Sequence, residues 1–349
     1  MIEINGVRIG EEYSPYIIAE LSANHGGSID VAKESIKLAK ESGASAVKIQ
    51  SYTPDTMTIE SNKPDFLITE GLWKGYTLYD LYKEAYTPFE WHKELFSYAE
   101  EIGITLFSSP FDETAIDLLQ SLDAPAYKIA SFELVDIPLI KRAAQCRKPL
   151  LMSTGMASVG EVRDALETAL KYGSGEVLLF HCISSYPASL TDSNLKNIEY
   201  LRKEFGVEVG LSDHTLTNLA ATISIGMGAS AIEKHFKPSD STIGADASFS
   251  ITPCQLETLV SDCNDAWSSL GKAGFHRSES EKGSRKHRRS LYFVKDLIKG
   301  SVIKPTDIRA IRPGNGVSPK FTDEIIGKRL SVDVERGDPV TFDAFLTNE

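Results

Sequence analysis

The sequence predicts a closed (β/α)8 barrel followed by a small β-rich domain, and three observations carry that prediction. Eight short β-branched runs alternate with helix-patterned stretches as far as residue 273. The repeat fills roughly 270 residues, close to the length of about 250 usual for such barrels. A doubly wound sheet would place a G-x-G-x-x-G turn after its first strand. Here that place holds Glu20-Leu21-Ser22-Ala23-Asn24-His25-Gly26-Gly27.

Taken in order, the strand runs lie at 16–21, 46–50, 105–108, 126–129, 150–153, 177–182, 208–211 and 231–235. Helix starts carry their own signals. Thr87-Pro88-Phe89-Glu90, Ser158-Val159-Gly160-Glu161 and Thr252-Pro253-Cys254-Gln255 read as capping boxes, two of them with proline at the first helical position. Gly43, Gly103 and Gly173 stand where helix C-caps are expected. The second strand and its helix are joined by some 35 residues, from Ser51 to about Thr87, and connections that long are usually functional. Trp73, Tyr76, Tyr79, Tyr82, Tyr86, Phe89 and Trp91 recur along it, so it either buries an aromatic stripe on a helix or meets substrate. Residues 1–273 form the expected barrel, 274–289 a polar linker, and 290–349 the small domain. The basic cluster Arg285-Lys286-His287-Arg288-Arg289 reads as part of a solvated linker. A β domain of that size has a marginal core, which predicts docking on the barrel or on another subunit.

Charge bounds the partners. Lys plus Arg number 37 against 49 Asp plus Glu, a formal net charge of −12, which argues against nucleic acid or an anionic membrane as ligand. An anionic substrate must then be held by a few well-placed cations. No apolar run approaches a membrane span, and the first 20 residues lack a signal-like pattern. Cys146, Cys182, Cys254 and Cys263 include no C-x-x-C pair, which predicts a reducing, cytoplasmic setting.

In a barrel of this kind the reacting groups stand at strand C-terminal ends. Glu20, Lys48, Gln50, Ser109, Lys128, Ser131, Glu133, Ser153, His181, Tyr186, Ser212, Asp213, His214, Glu233 and His235 all fall there. Lys48 and Lys128 are flanked by strand-forming apolar residues, so each ammonium points at an anion, forms a Schiff base, or pairs with Glu20 or Glu233. Both come from even-numbered strands, which predicts one shared layer. His214 and His235 end neighbouring strands and can share a divalent cation, act as bases, or be structural. Asp213 and Glu233 are candidates to orient the rings or to bind directly, and His25 and His181 are candidate third participants.

Several segments together resemble the sialic acid synthase family, in which a phosphoenolpyruvate-condensing barrel precedes an antifreeze-like (SAF) domain. They include Asn24-His25-Gly26-Gly27, Val47-Lys48-Ile49-Gln50, Ser109-Pro110-Phe111, Tyr127-Lys128-Ile129-Ala130-Ser131, Ser153-Thr154-Gly155-Met156, Ser212-Asp213-His214-Thr215 and Ile232-Glu233-Lys234-His235-Phe236. Arg312-Pro313-Gly314-Asn315-Gly316 extends the likeness into the last domain. The resemblance implies that His214 and His235 hold a divalent metal, Mn2+ with Mg2+ or Co2+ as substitutes. It implies that Lys48, Lys128, Ser109, Ser131, Ser153 and Ser212 bind phosphoenolpyruvate. Glu20, Gln50, Glu133, Tyr186, Glu233 and Asp246 would surround an amino sugar and the reacting carbons, with Glu20 and Glu133 as candidate bases. It further implies a domain-swapped homodimer in which Arg312 enters the other copy's barrel. Gly71-Leu72-Trp73-Lys74-Gly75 and the segment 78–85 resemble the family's pseudaminic acid synthase branch, and Cys182-Ile183-Ser184-Ser185-Tyr186-Pro187 lacks the Cys-Thr-Asn of the neuraminate branch. The implied reaction joins phosphoenolpyruvate to a 2,4-diacetamido-2,4,6-trideoxy-altrose. A synthase for neuraminic or legionaminic acid, a Schiff-base aldolase and a non-catalytic sugar-binding protein are the alternatives.

Overall fold

A computed structural model describes residues 2–276 and 278–346 and divides into two compact units, Met1–Gly271 and Lys272–Glu349. Met1, Arg277 of the expected linker, and residues 347–349 of the expected last domain lie outside the described residues. The first unit opens with an antiparallel hairpin, β1 (Ile2–Ile4) and β2 (Val7–Ile9). Asn5 and Gly6 turn it with φ of 48° and 78°, the positive pair that a two-residue hairpin turn requires. Eight strands follow: β3 (Tyr16–Glu20), β4 (Ala46–Ser51), β5 (Thr105–Pro110), β6 (Tyr127–Ile129), β7 (Leu150–Ser153), β8 (Val177–Cys182), β9 (Glu208–Asp213) and β10 (Ala231–His235). They close in the order β10-β3-β4-β5-β6-β7-β8-β9, all pairs parallel. The eight expected runs are these strands. β5 runs past its expected end because Gln50 and Ser51 stay in register with Ser109 and Pro110.

Side-chain alternation then sorts every strand into two faces. Outward, Val47, Ile49, Leu106, Tyr127, Ile129, Met152, Leu179 and Leu211 are buried against the surrounding helices. Inward, Ile18, Ala46, Phe107, Ala126, Leu151, Leu178, Phe180 and Ala231 fill the barrel, and Ile2, Ile4 and Ile9 of the hairpin join that cluster. The hairpin is therefore an apolar floor under the barrel. Its sequence signal is the Asn5-Gly6 pair between Ile4 and Val7.

Some local expectations change. The helix Val159–Tyr172 starts at the Ser158–Glu161 capping box as expected. The helix Phe89–Ile102 has Pro88 at its N-cap, and Thr87 turns its hydroxyl to His25 Nε2 at 3.3 Å instead. The long connection is partly helical, at Pro54–Met57 and Leu78–Ala85. Gly173 ends its helix with φ of −99°; glycine is needed there because a Cβ would stand 2.6 Å from the Ala169 carbonyl oxygen. The stretch expected as a bare linker instead carries a helix, Glu279–Lys282, and a 3-10 turn, Gly283–His287. Gly314 donates its N–H to Lys286 O, which ties that turn into the second unit. This unit pairs β11 (Ser290–Phe293) with β12 (Ile308–Ile311) around a core of its own, including Leu291, Phe293, Ile303, Ile325, Leu330 and Val340. Among the described residues no helix is long and apolar enough to cross a membrane.

Candidate active site

The inward face of the barrel changes from apolar to charged partway up, and the alternation that builds the floor builds the site. Two residues above Ala46, Ala126, Leu178 and Ala231 stand Lys48, Lys128, Phe180 and Glu233, one from each of β4, β6, β8 and β10. Four side chains from alternate strands make one layer of a (β/α)8 barrel. The next layer takes Glu20, Ser109, Ser153 and Ser212 from β3, β5, β7 and β9. Above that, Gln50, Cys182 and His235 continue the faces of Lys48, Phe180 and Glu233.

The layers are cross-linked. Lys128 Nζ donates to both Glu233 oxygens at 3.0 Å and lies 4.6 Å over the Phe180 ring. Lys48 Nζ is 3.0 Å from Glu20 Oε2 and 3.3 Å from Glu233 Oε1, and donates to Ser109 Oγ at 3.3 Å. Ser212 Oγ donates to Glu233 Oε1 at 3.2 Å, and Gln50 Nε2 donates to Glu20 Oε1 and Ser22 Oγ, each at 2.9 Å. Gly210 leaves room for this stack, since a Cβ would meet the Phe180 ring at 2.7 Å.

The two carboxyls are unequal. Burial raises Glu233, but two ammoniums outweigh it and hold the group at about 2. Burial, with Glu233 adding repulsion, lifts Glu20 above the ordinary range despite Lys48. Burial lowers Lys128, while Glu20 and Glu233 together overcome burial and raise Lys48. Glu133 follows β6 on a one-turn helix, Ser131–Glu133; burial, helped by Asp136, pushes it up to about 7, and its Oε2 has no hydrogen-bond partner. Ser131 Oγ beside it accepts from Gly155 N–H at 3.2 Å.

At the mouth, the His214 and His235 rings lie 5.5 Å apart. His214 Nδ1 meets Ile183 O at 2.8 Å, a contact that puts a proton on Nδ1, and against burial Cys182 and that carbonyl raise the ring above its usual value. His235 Nδ1 is buried with no hydrogen-bond partner, 3.7 Å from Asp246 Oδ2. Burial, with His214 adding to it, drives His235 well below its usual value, so it is the neutral imidazole that ligates metals. An orphaned imidazole nitrogen, a second with its tautomer fixed by a backbone carbonyl, and a nearby carboxylate suit a divalent cation. Tyr186 stacks 4.3 Å from His214 and packs 5.3 Å from Phe249.

Not every expected residue joins. Asp213 and Lys234 lie on the outward faces of β9 and β10 and pair there at 2.6 Å, so Asp213 orients neither histidine. His181, on the outward face of β8, bonds Ser193 O at 2.7 Å. His25, which burial lowers to about 4, bonds Thr87 and packs on Trp91 at 5.4 Å. Neither is a third ligand, and among the described residues no group of three His, Cys, Asp or Glu side chains is gathered for a metal. Arg312 lies in the second unit, exposed, just after β12. Sequence reasoning missed Phe180 and Cys182, although counting by twos from Leu178 would have found both. It also placed no weight on Phe249.

Comparison with known proteins identifies the family. Residues 35–274 match the NeuB family and residues 288–346 the SAF domain. The chain is 42% identical over 323 residues to pseudaminic acid synthase of Campylobacter jejuni, covering 93% of this chain and 94% of that one. It is 38% identical over 341 residues to N,N'-diacetyllegionaminic acid synthase of Legionella pneumophila, covering 96% of each. The crystal structure of N-acetylneuraminic acid synthetase from Leptospira borgpetersenii in complex with citrate superposes with a TM-score of 0.73 at 28% identity, covering 81% of this chain and 94% of that one.

Proposed function

The chain belongs to the NeuB family, and from that premise we propose that it condenses phosphoenolpyruvate with 2,4-diacetamido-2,4,6-trideoxy-altrose and water, giving pseudaminic acid and phosphate. The observation that carries the reading is the barrel layer itself: two buried ammoniums meet at one carboxylate, directly beneath a ring of serine hydroxyls. Lys48 and Lys128 bind the trianion, and Ser109, Ser131, Ser153 and Ser212 orient its oxygens. A divalent cation (Mn2+, Mg2+ or Co2+) held by His214 and His235 would supply polarisation of the sugar's open-chain aldehyde. C3 of phosphoenolpyruvate attacks that aldehyde carbon, and water adds to the cationic C2. The tetrahedral intermediate then expels phosphate. Glu133, raised by burial into the neutral range, takes the water proton, with Glu20 as the other candidate. Asp246, Gln50 and Tyr186 line the sugar's side.

The proposal extends to a cytoplasmic homodimer in which Arg312 contacts the sugar bound by the other copy. Four unpaired cysteines support the reducing compartment. The test is a panel of aldehyde sugars assayed with phosphoenolpyruvate, with phosphate release followed and the nine-carbon product identified by mass spectrometry. Turnover confined to the 2,4-diacetamido-altrose is the expected result. Preference for the legionaminic precursor or N-acetylmannosamine moves the chain to a sister activity. A borohydride-trapped pyruvate adduct on lysine, or sugar binding without turnover, overturns the reaction altogether.

A further inference from the structure

The long connection after β4 brings Trp73 to the mouth of the barrel. Residues 67–77 fold back on themselves: Leu67 bridges Thr77, Ile68 N–H donates to Tyr76 O and Gly75 N–H to Ile68 O, both at 2.9 Å. Gly71 and Gly75 flank the tip with φ of +78° and +99°, conformations that favour glycine. Trp73 sits between them, half-buried, and donates its indole N–H to Ala245 O at 3.0 Å. Ala245 directly precedes Asp246, whose carboxylate faces His235. The Trp73 ring lies 6.1 Å from that of Tyr186, which in turn covers His214 at 4.3 Å. Trp73 thus latches the excursion to the loop carrying Asp246 and extends the aromatic wall of Tyr186 and Phe249 outward.

We propose that Trp73 is a specificity-determining residue: its indole N–H holds the 67–77 tip closed, and its face packs on the acyl methyl of the sugar's 4-acetamido group, outward of the aldehyde end, where N-acetylmannosamine carries a hydroxyl. This rests on the reaction proposed above. An aromatic face desolvates a methyl group well and offers nothing to a free hydroxyl. One apolar contact in a pocket is worth about tenfold in discrimination.

The test uses the full-length protein with Trp73→Ala and Trp73→Phe, assayed on 2,4-diacetamido-2,4,6-trideoxy-altrose and on N-acetylmannosamine, with phosphoenolpyruvate varied separately. Trp73→Ala is expected to raise the diacetamido sugar's KM about tenfold and to narrow the preference between the sugars by a similar factor. The KM for phosphoenolpyruvate should stay within about twofold, because Lys48 and Lys128 are untouched. Trp73→Phe keeps a face without the N–H and should fall between wild type and alanine. Equal losses for both sugars, or KM values rising together for sugar and phosphoenolpyruvate, would show a merely structural role and overturn the proposal. A second readout does not need turnover: tryptophan emission titrated with sugar alone should respond in wild type and lose that response in Trp73→Phe. If wild type turns over a different sugar of the panel, the reaction reading fails while the emission titration with that sugar still decides Trp73. Emission unmoved by every sugar overturns the proposal.

Discussion

Replacing Glu233 with glutamine removes an anion that touches both buried lysines, and the structure sets what should follow. Its oxygens lie 3.0 Å from Lys128 Nζ and 3.3 Å from Lys48 Nζ. At such separations and an effective dielectric near 20, each attraction is on the order of 4 kcal/mol before solvation costs. Breaking one side of a buried pair usually destabilises by about 3–5 kcal/mol, because the remaining charge stays uncompensated. For a unit of this size that corresponds to a melting temperature lower by roughly 10 °C. Phosphoenolpyruvate should reverse the defect, since a trianion supplies the missing charge. The variant should therefore bind it about tenfold more tightly than wild type, on the order of 1.4 kcal/mol, and gain more on melting with ligand. Differential scanning calorimetry with and without phosphoenolpyruvate, paired with isothermal titration, measures both quantities. An unchanged melting temperature, or weaker phosphoenolpyruvate binding, would refute the charge argument.

Three further outcomes are expected. His235→Ala should abolish turnover and weaken Mn2+ binding measured by calorimetry, and full activity of that variant in chelated buffer would reject the metal assignment. Glu133, at about 7, must be ionised to accept a proton, so wild-type kcat should fall as pH drops below neutrality. Glu133→Gln should lose roughly 10²-fold or more in kcat and flatten that acidic limb; a limb that survives points to another base. Gly210→Ala places a Cβ 2.6 Å from Ala231 O and 2.7 Å from the Phe180 ring. It should cost about 1–3 kcal/mol in urea unfolding and, by shifting the ring under Lys128, raise the KM for phosphoenolpyruvate.

The sequence by itself determined the barrel and most of its lining, because a strand's period of two and its apolar runs are local properties. Lys48 and Lys128 were legible as inward cations for the same reason: in each, the residues on either side must face the helices. Which carboxylates they meet was not legible, since Glu233 lies 105 residues from Lys128 and only barrel closure brings them to 3.0 Å. Closure also decided against local reading at several points. His181 sits one residue from Cys182, yet the pleat sends the histidine outward to Ser193 and the thiol inward to within 3.9 Å of His214. Asp213, adjacent to His214 in the chain, is turned away to a cross-strand partner, Lys234, by the same alternation. Thr87, patterned as a helix cap, is buried under the loop after β3, where its hydroxyl meets His25 Nε2. The neutral-range acidity of Glu133 and the reach of Trp73 to Ala245 belong wholly to the tertiary structure. Both depend on which low-dielectric surfaces and which distant backbone groups the fold brings near, and neither is encoded in any short window of residues.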